Sequence, residues 1–306
     1  MIKIGDLPTI AELGLGLVAG KPVYRPTVAS FEVTNRCTLR CRHRYWWRRK
    51  PNKELSEDKY YQKIKEVKKR HPSLIAAMWL GGEPLLRKEI VEKGSRLFSF
   101  NEVITNGTIP LPYWPDFRFA CSVDGTKKYH ELQRGTGTYD KIKKNINRGD
   151  LNVNIICILT RPNQECLENF VEEWSKSEIK SIGFGFYTPV GSDDDEKIWI
   201  DFKERDLVLE RILKLKEKYP RFINLSLATI RGFNSKNCRE NTNVCRNSLA
   251  PFCSMCFDSK MIMKFPCIIG DRAQCDKCGC GGSVVFENIR SGDFSMFLQH
   301  LPRIND

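Results

Sequence analysis

Val33-Thr34-Asn35-Arg36-Cys37-Thr38-Leu39-Arg40-Cys41-Arg42-His43-Arg44 is the stretch on which the reading of this 306-residue chain turns. Two cysteines stand four positions apart, directly after Thr27 to Thr34, an apolar run that reads as a strand. Three positions beyond the second cysteine, where another thiol would extend the set, stands Arg44. Thiolates are soft ligands suited to iron and zinc, whereas a guanidinium stays charged and has no lone pair to offer. The stretch therefore points to thiolate chemistry at a strand end and withholds one donor in the same line.

Outward from this loop, strand and helix alternate. Ser56 is placed to cap a helix carrying Tyr60, Ile64 and Val67. Leu74 to Leu80, Glu102 to Thr105 and Phe117 to Val123 read as the next strands. Asp140 to Ile146 reads as helix, Val153 to Leu159 as strand, Glu165 to Trp174 as helix, and Ile182 to Tyr187 as a sixth strand stopped by Thr188-Pro189. Such alternation predicts an α/β fold with a parallel sheet and helical crossovers. Periodicity leaves an open barrel and a doubly wound sheet as alternatives, and in both the functional groups gather at the carboxyl ends of the strands. Ile10 to Val18 predicts a further helix packed on the sheet.

Motifs recur at those strand ends. Gly81-Gly82-Glu83-Pro84 follows the second strand; its glycines permit close backbone approach, its carboxylate can accept from an ammonium group, and its proline stiffens the exit. Thr105-Asn106-Gly107 ends the third strand and Cys121-Ser122-Val123-Asp124-Gly125 the fourth, followed by Tyr129-His130-Glu131-Leu132-Gln133-Arg134-Gly135. Asn163 follows the fifth strand, and Pro189 with Gly191 follows the sixth. Each alone is a common turn signal.

Taken in order over residues 27 to 191, this set resembles the radical S-adenosylmethionine (SAM) enzymes, whose C-x-x-x-C-x-x-C loop holds a 4Fe-4S cluster. The resemblance implies a partial (β/α)6 barrel and a cluster on Cys37 and Cys41, with Arg44 in place of the third cysteine. It further implies a SAM pocket built from His43, Gly81, Gly82, Glu83, Pro84, Thr105, Asn106, Ser122, Asp124 and Arg134. Within that pocket Ser122 and Arg134 are expected at the SAM carboxylate, Glu83 at its amino group and His43 beside the adenine. In family members with an intact cluster, an electron from a reductant such as a ferredoxin or flavodoxin cleaves SAM, and a 5'-deoxyadenosyl radical abstracts a substrate hydrogen. No acid, base or nucleophile stands out as a catalytic side chain. Arg44 fits natural degeneration, a substitution in an active enzyme, or a non-catalytic role that keeps only the SAM-binding shell.

Thirteen cysteines are too many for one loop. Cys121, Cys157 and Cys166 sit singly in apolar segments and read as small buried hydrophobes. Eight more lie between Cys238 and Cys280 in a Gly-, Asn- and Pro-rich tail. Cys253-x-x-Cys256 and Cys275-x-x-Cys278, with 18 residues between them, match the spacing of a structural zinc site. Zinc needs only four thiolates, and the tail also resembles the SPASM or twitch auxiliary domains that carry further 4Fe-4S clusters. An auxiliary cluster is the favoured expectation and zinc the alternative. Cys253, Cys256, Cys275 and Cys278 lead as ligands, followed by Cys267 and Cys280; Cys238 and Cys245 are ligands or loop residues. The expected organisation is an N-terminal extension (1–26), a barrel (27–235) and a small cysteine-rich C-terminal domain (236–306). In that last part Val284 to Phe286 predicts a strand and Ser295 to Leu301 a closing helix.

Composition narrows the classes. A hydrophobic fraction of 41% with 28% charged residues is that of a soluble globular protein, and a secreted disulfide scaffold is disfavoured in a chain this large with no export signal. No apolar run reaches the ~18 residues needed to cross a bilayer, so a cytoplasmic location is expected. The net charge of +13 permits an anionic partner, but the lysines spread over the solvated faces of helices such as Lys203 to Lys218, and nucleic acid is not indicated. The expected function is radical chemistry on a peptide or another small molecule. Its rival is a non-catalytic metal-binding or scaffold protein with a degenerate SAM site.

Overall fold

In the computed structural model, which describes residues 2–19, 25–43, 53–192, 195–245, 254–265 and 267–290, the predicted alternation is present. Strands β1 (Val28–Thr34), β2 (Ala76–Gly81), β3 (Phe100–Thr105), β4 (Phe117–Ser122), β5 (Asn152–Leu159) and β6 (Ser181–Phe186) pair in chain order, all parallel. Helices α1 (Leu7–Ala19), α2 (Glu57–Arg70), α3 (Lys88–Ser95), α4 (Lys127–Arg134), α5 (Thr138–Ile146), α6 (Leu167–Ser175), α7 (Asp195–Ile198), α8 (Phe202–Lys218), α9 (Leu227–Gly232) and α10 (Ser235–Val244) precede or connect them. The tail adds β7 (Ser254–Phe257), β8 (Met263–Lys264) and α11 (Gly281–Arg290).

Helix α2 shows how the pattern becomes structure. Ser56 occupies its N-cap position, Glu57 and Asp58 lie in the first turn, and Lys68, Lys69 and Arg70 in the last, so the charges complement the helix dipole. Tyr60, Ile64 and Val67 form the buried face. They cover the side of the sheet where Phe31, Trp79, Val103 and Phe119 stand in register across four strands. Phe31 stacks on Trp79 at 5.1 Å and on Phe257 of β7 at 5.6 Å. Side chains alternate along a strand, so the opposite face presents Ser30, Met78, Glu102 and Arg118 in register. There Arg118 and Glu102 pair at 3.2 Å.

The tail reveals that the sheet curls. Strand β7 pairs parallel with β1, extending the sheet order to β6-β5-β4-β3-β2-β1-β7-β8. At the other edge, Gly279 O accepts from Phe186 N at the end of β6 (2.8 Å). In a flat sheet β6 and β7 would stand roughly 29 Å apart at the usual strand spacing. Yet the ring of His43, in the loop after β1, lies 6.5 Å from that of Tyr187 just past β6. The two edges therefore face each other across a gap, and the tail laces it.

Two expectations are corrected. Val284 to Phe286 lies within helix α11, with Val284 buried in the core and Asn288 Nδ2 donating to Thr229 Oγ1 (3.2 Å). A three-residue apolar run finds no strand partner there, because Ile223 already bridges β6 at Ile182 and Gly279 holds its end. Helix α1 forms, but Leu7 and Leu15 are exposed rather than packed on the sheet. Its anchor is polar and precedes it: Asp6 accepts from Lys68 Nζ (2.6 Å) and Ser99 Oγ (2.8 Å). Ser295 to Leu301 lies outside the described residues.

Candidate functional site

The loop after β1 and the turn after β2 are joined by their backbones. Gly82 N donates to Thr34 O and Glu83 N to Arg36 O, both at 2.8 Å. A side chain at position 82 would overlap the Arg36 carbonyl and come within 3.0 Å of Asn35 O, so the second glycine is required by this approach. Glu83 is fully buried. Its carboxylate accepts from Thr105 Oγ1 (2.8 Å), Asn106 N (2.8 Å) and Leu85 N (3.1 Å), which ties the third strand end to the second and starts the turn at Pro84. Asn106 Nδ2 in turn donates to Thr38 Oγ1 (2.9 Å) and approaches Cys37 Sγ (3.6 Å). Three of the predicted segments thus meet at one rim.

The fourth strand end supplies a buried charge pair. Arg134 Nε donates to Asp124 Oδ2 at 2.7 Å, and Arg134 Nη1 lies 3.9 Å from Cys41 Sγ. Asp124 Oδ1 accepts from Ile158 N (3.0 Å), fixing the carboxylate against β5. Burial alone would raise the Asp124 pKa; the charge of Arg134, its neighbour His43 and the hydrogen bond from Arg134 reverse this and hold the carboxyl well below its usual range. His43 Nε2 stands 3.5 Å from the same carboxylate, and its ring meets Tyr187 edge-on. His130 is driven by burial and by Arg134 down to about 3, so it is neutral and its Nδ1 accepts from Asp124 N (3.2 Å). Arg134 Nη2 is buried and has no hydrogen-bond partner among the described residues. That N–H fits a carboxylate brought by a ligand. Ser122 is buried at the end of β4 on the same rim.

Several members of this rim carried no motif. Glu54 accepts from Thr34 Oγ1 (2.7 Å) and Asn35 N (2.6 Å), closing the cysteine loop from behind. Thr38 and Thr108 share a hydroxyl contact of 2.6 Å. Gln133 O accepts from Arg42 N (2.8 Å). Asn35 Nδ2 donates to Ser259 Oγ of the tail (2.7 Å). Arg44 and Cys253 lie outside the described residues.

The tail thiols form a second neighbourhood. Burial, followed by Cys278, Cys267, Cys275 and Cys256, pushes Cys245 up to about 12. Burial and Cys267 push Cys256 up to about 11, and the exposed Cys280 has Cys278, Cys267 and Cys245 as its thiol neighbours. Cys245, Cys256, Cys267, Cys275, Cys278 and Cys280 therefore lie in one neighbourhood. Among the described residues no three metal donors already converge to binding distance. Cys238 stands apart, its Sγ 3.1 Å from Cys278 O. Cys121, Cys157 and Cys166 are buried singly, as expected.

Residues 31–173 match the family model described as the Radical SAM superfamily. No curated protein sequence matches the chain. Among solved structures, it resembles Streptococcus suis SuiB bound to S-adenosylmethionine, with a TM-score of 0.64 and 14% identity over 86% of this chain and 65% of that one. It also resembles native anSMEcpe with bound AdoMet, with a TM-score of 0.65 and 16% identity over 90% and 85% of the two chains. SuiB bound to precursor peptide SuiA matches over 98% of this chain, with a TM-score of 0.61 and 13% identity. The chain spans about two thirds of the SuiB length. Among the described residues no helix is long and apolar enough to cross a membrane.

Proposed function

From a chain that carries a radical SAM domain over residues 31–173, we propose a protein that binds a 4Fe-4S cluster and SAM at the carboxyl rim of its parallel strands and acts on a peptide. One observation carries this reading: the Cys37 and Cys41 loop, the Glu83 turn, Asn106 and the Asp124–Arg134 pair meet at a single rim. Cys37 and Cys41 would hold the cluster, which when bound and reduced would supply the electron for SAM cleavage. The chain's own residues do the rest. Arg134 Nη2 is the donor left for the SAM carboxylate, and Asp124 keeps that guanidinium charged and oriented. Asn106 offers its amide N–H toward the Cys37 sulfur, a contact that tunes a thiolate ligand. Glu83 fixes the two strand ends so that the turn's backbone is presented rigidly. The peptide substrate is supported by the peptide-bound SuiB relative of the same fold, and an electron donor such as a ferredoxin or flavodoxin is required by the chemistry. The tail thiols would hold an auxiliary 4Fe-4S centre, with zinc as the alternative metal.

Arg44 favours a second reading, in which the cluster is incomplete and the SAM site silent. Anaerobic reconstitution of the chain and of its Arg44→Cys variant separates the two. On the first reading the chain with Arg44 itself forms 5'-deoxyadenosine with a chemical reductant; on the second it forms none, and iron and cleavage are gained only in Arg44→Cys. Absence of 5'-deoxyadenosine from the Arg44 chain sinks the first reading, and gain of neither iron nor cleavage by Arg44→Cys sinks the SAM site altogether.

A further inference from the structure

Arg205 of α8 is a fully buried cation whose guanidinium is met by no carboxylate among the described residues. Its Nη1 donates to Cys278 O (2.9 Å) and lies 3.3 Å from Cys238 Sγ. Among the described residues its Nε and Nη2 have no hydrogen-bond partner. The faces of Phe186 and Phe202 lie 4.8 and 5.0 Å from the guanidinium carbon and shield it from water. The adjacent carboxylate of Asp206 is turned away, accepting from Ser235 N (2.8 Å) and Ser235 Oγ (2.5 Å). Among the described residues no carboxylate pairs with Arg205.

Such a group is costly: arginine does not give up its proton, and an unpaired buried charge disfavours folding by several kcal/mol. The cost is removed if an anion sits beside it. Cys278, whose carbonyl Arg205 holds, also accepts at its Sγ from Cys280 N (3.3 Å), which places the guanidinium beside the tail thiols. A four-thiolate site around zinc or an oxidised 4Fe-4S core keeps a net charge of about minus two, which fits the vacancy in sign. We propose that Arg205 is the buried counter-cation of a thiolate-bound metal centre in the tail. It holds the Cys278 backbone through Nη1 and turns its remaining N–H groups to the charge that the bound metal site carries. Cys238 is then a positioning residue, its S–H directed to Cys278 O rather than to metal. The inference rests on the tail being a metal site, but it holds for either metal.

The test uses the full chain with Cys37→Ala and Cys41→Ala, so that all bound metal belongs to the tail. Urea unfolding is followed anaerobically for metal-loaded and chelator-stripped protein, with Arg205 intact, Arg205→Met and Arg205→Lys. Arg205→Met is expected to lower the midpoint of the loaded protein and to leave unchanged or raise that of the stripped protein, with chelator removing its metal at about 10–100-fold lower concentration. Arg205→Lys, which keeps the charge, is expected to restore most of the loaded midpoint. A loss of equal size in both states means that Arg205 is only a structural clamp and overturns the proposal, as does unchanged metal retention in Arg205→Met. If the parent chain with Arg205 intact takes up no metal, the reading of the tail fails first, and this is visible before any Arg205 variant is made.

Discussion

Gly279→Ala should unlace the tail from the barrel. Gly279 O accepts from Phe186 N at 2.8 Å, and Gly279 N donates to Thr188 Oγ1 at 2.9 Å. A methyl at this position would stand 2.6 Å from Phe186 Cβ and closer still to the Phe186 carbonyl. Carbon atoms pack at about 3.5–4 Å, so the segment must retreat by about 1 Å from a strand that cannot yield. Overpacking of this kind costs about 1–3 kcal/mol, and the two hydrogen bonds lost in the retreat add about 1 kcal/mol each. The expected total is about 3–5 kcal/mol, read as a lower midpoint in anaerobic urea unfolding. Because Cys278 and Cys280 flank the hinge, metal per chain after reconstitution should fall as well. Gly281→Ala is the control: its methyl meets only Phe233 Cζ, at an ordinary 3.7 Å. If Gly279→Ala unfolds and loads metal like Gly281→Ala, the closure of the sheet by the tail has been misread.

Two further outcomes concern the rim. Asp124→Asn removes the counter-charge of Arg134 and should cost about 3–5 kcal/mol in urea unfolding, along with weaker SAM binding by calorimetry; a loss under about 1 kcal/mol would show the pair to be dispensable. The folded pKa of His130 is lowered to about 3 from the usual 6.5, so the unfolded chain binds the extra proton between these values and stability falls as pH drops below 6.5. His130→Gln should remove that part of the slope, up to about 1.4 kcal/mol per pH unit, and leave the loss at lower pH, where Asp124, with its depressed pKa, takes up its proton; an unchanged profile refutes the assignment.

The fold was legible because its signals are local. Six apolar runs separated by helical stretches predict the parallel strands that form, though not their order, and Gly81-Gly82-Glu83-Pro84 announces a close backbone approach that Gly82 makes. The rim was legible only where a residue sits in a motif. Glu54 closes the cysteine loop from a position with no pattern around it, and Arg205 looks in sequence like one more basic residue of a solvated helix. Its burial is set by Phe186, Phe202 and the tail, which come together only when the sheet curls. Val284 to Phe286 fails for a related reason: local β propensity is overridden where the available edge is already paired.

Strand β1 is the element through which the two thiol regions are mechanically joined. Its carboxyl end leads into Cys37 and Cys41, while its outer edge carries β7, with Ser30 beside Cys256 and Phe31 stacked on Phe257. Asn35, just past the strand, donates to Ser259 in the tail. A displacement of β7 therefore acts on the cysteine loop by two routes, one apolar through Phe31 and one polar through Asn35. The Phe31 stack sits in the same core as Trp79 and Phe98, so it cannot shift without disturbing β2, whose end is the Glu83 turn. Packing at native density transmits such a shift instead of absorbing it. The tail around Cys256 and the rim around Cys37 and Cys41 are thus joined through one strand, and the link requires no contact between the two sets of thiols.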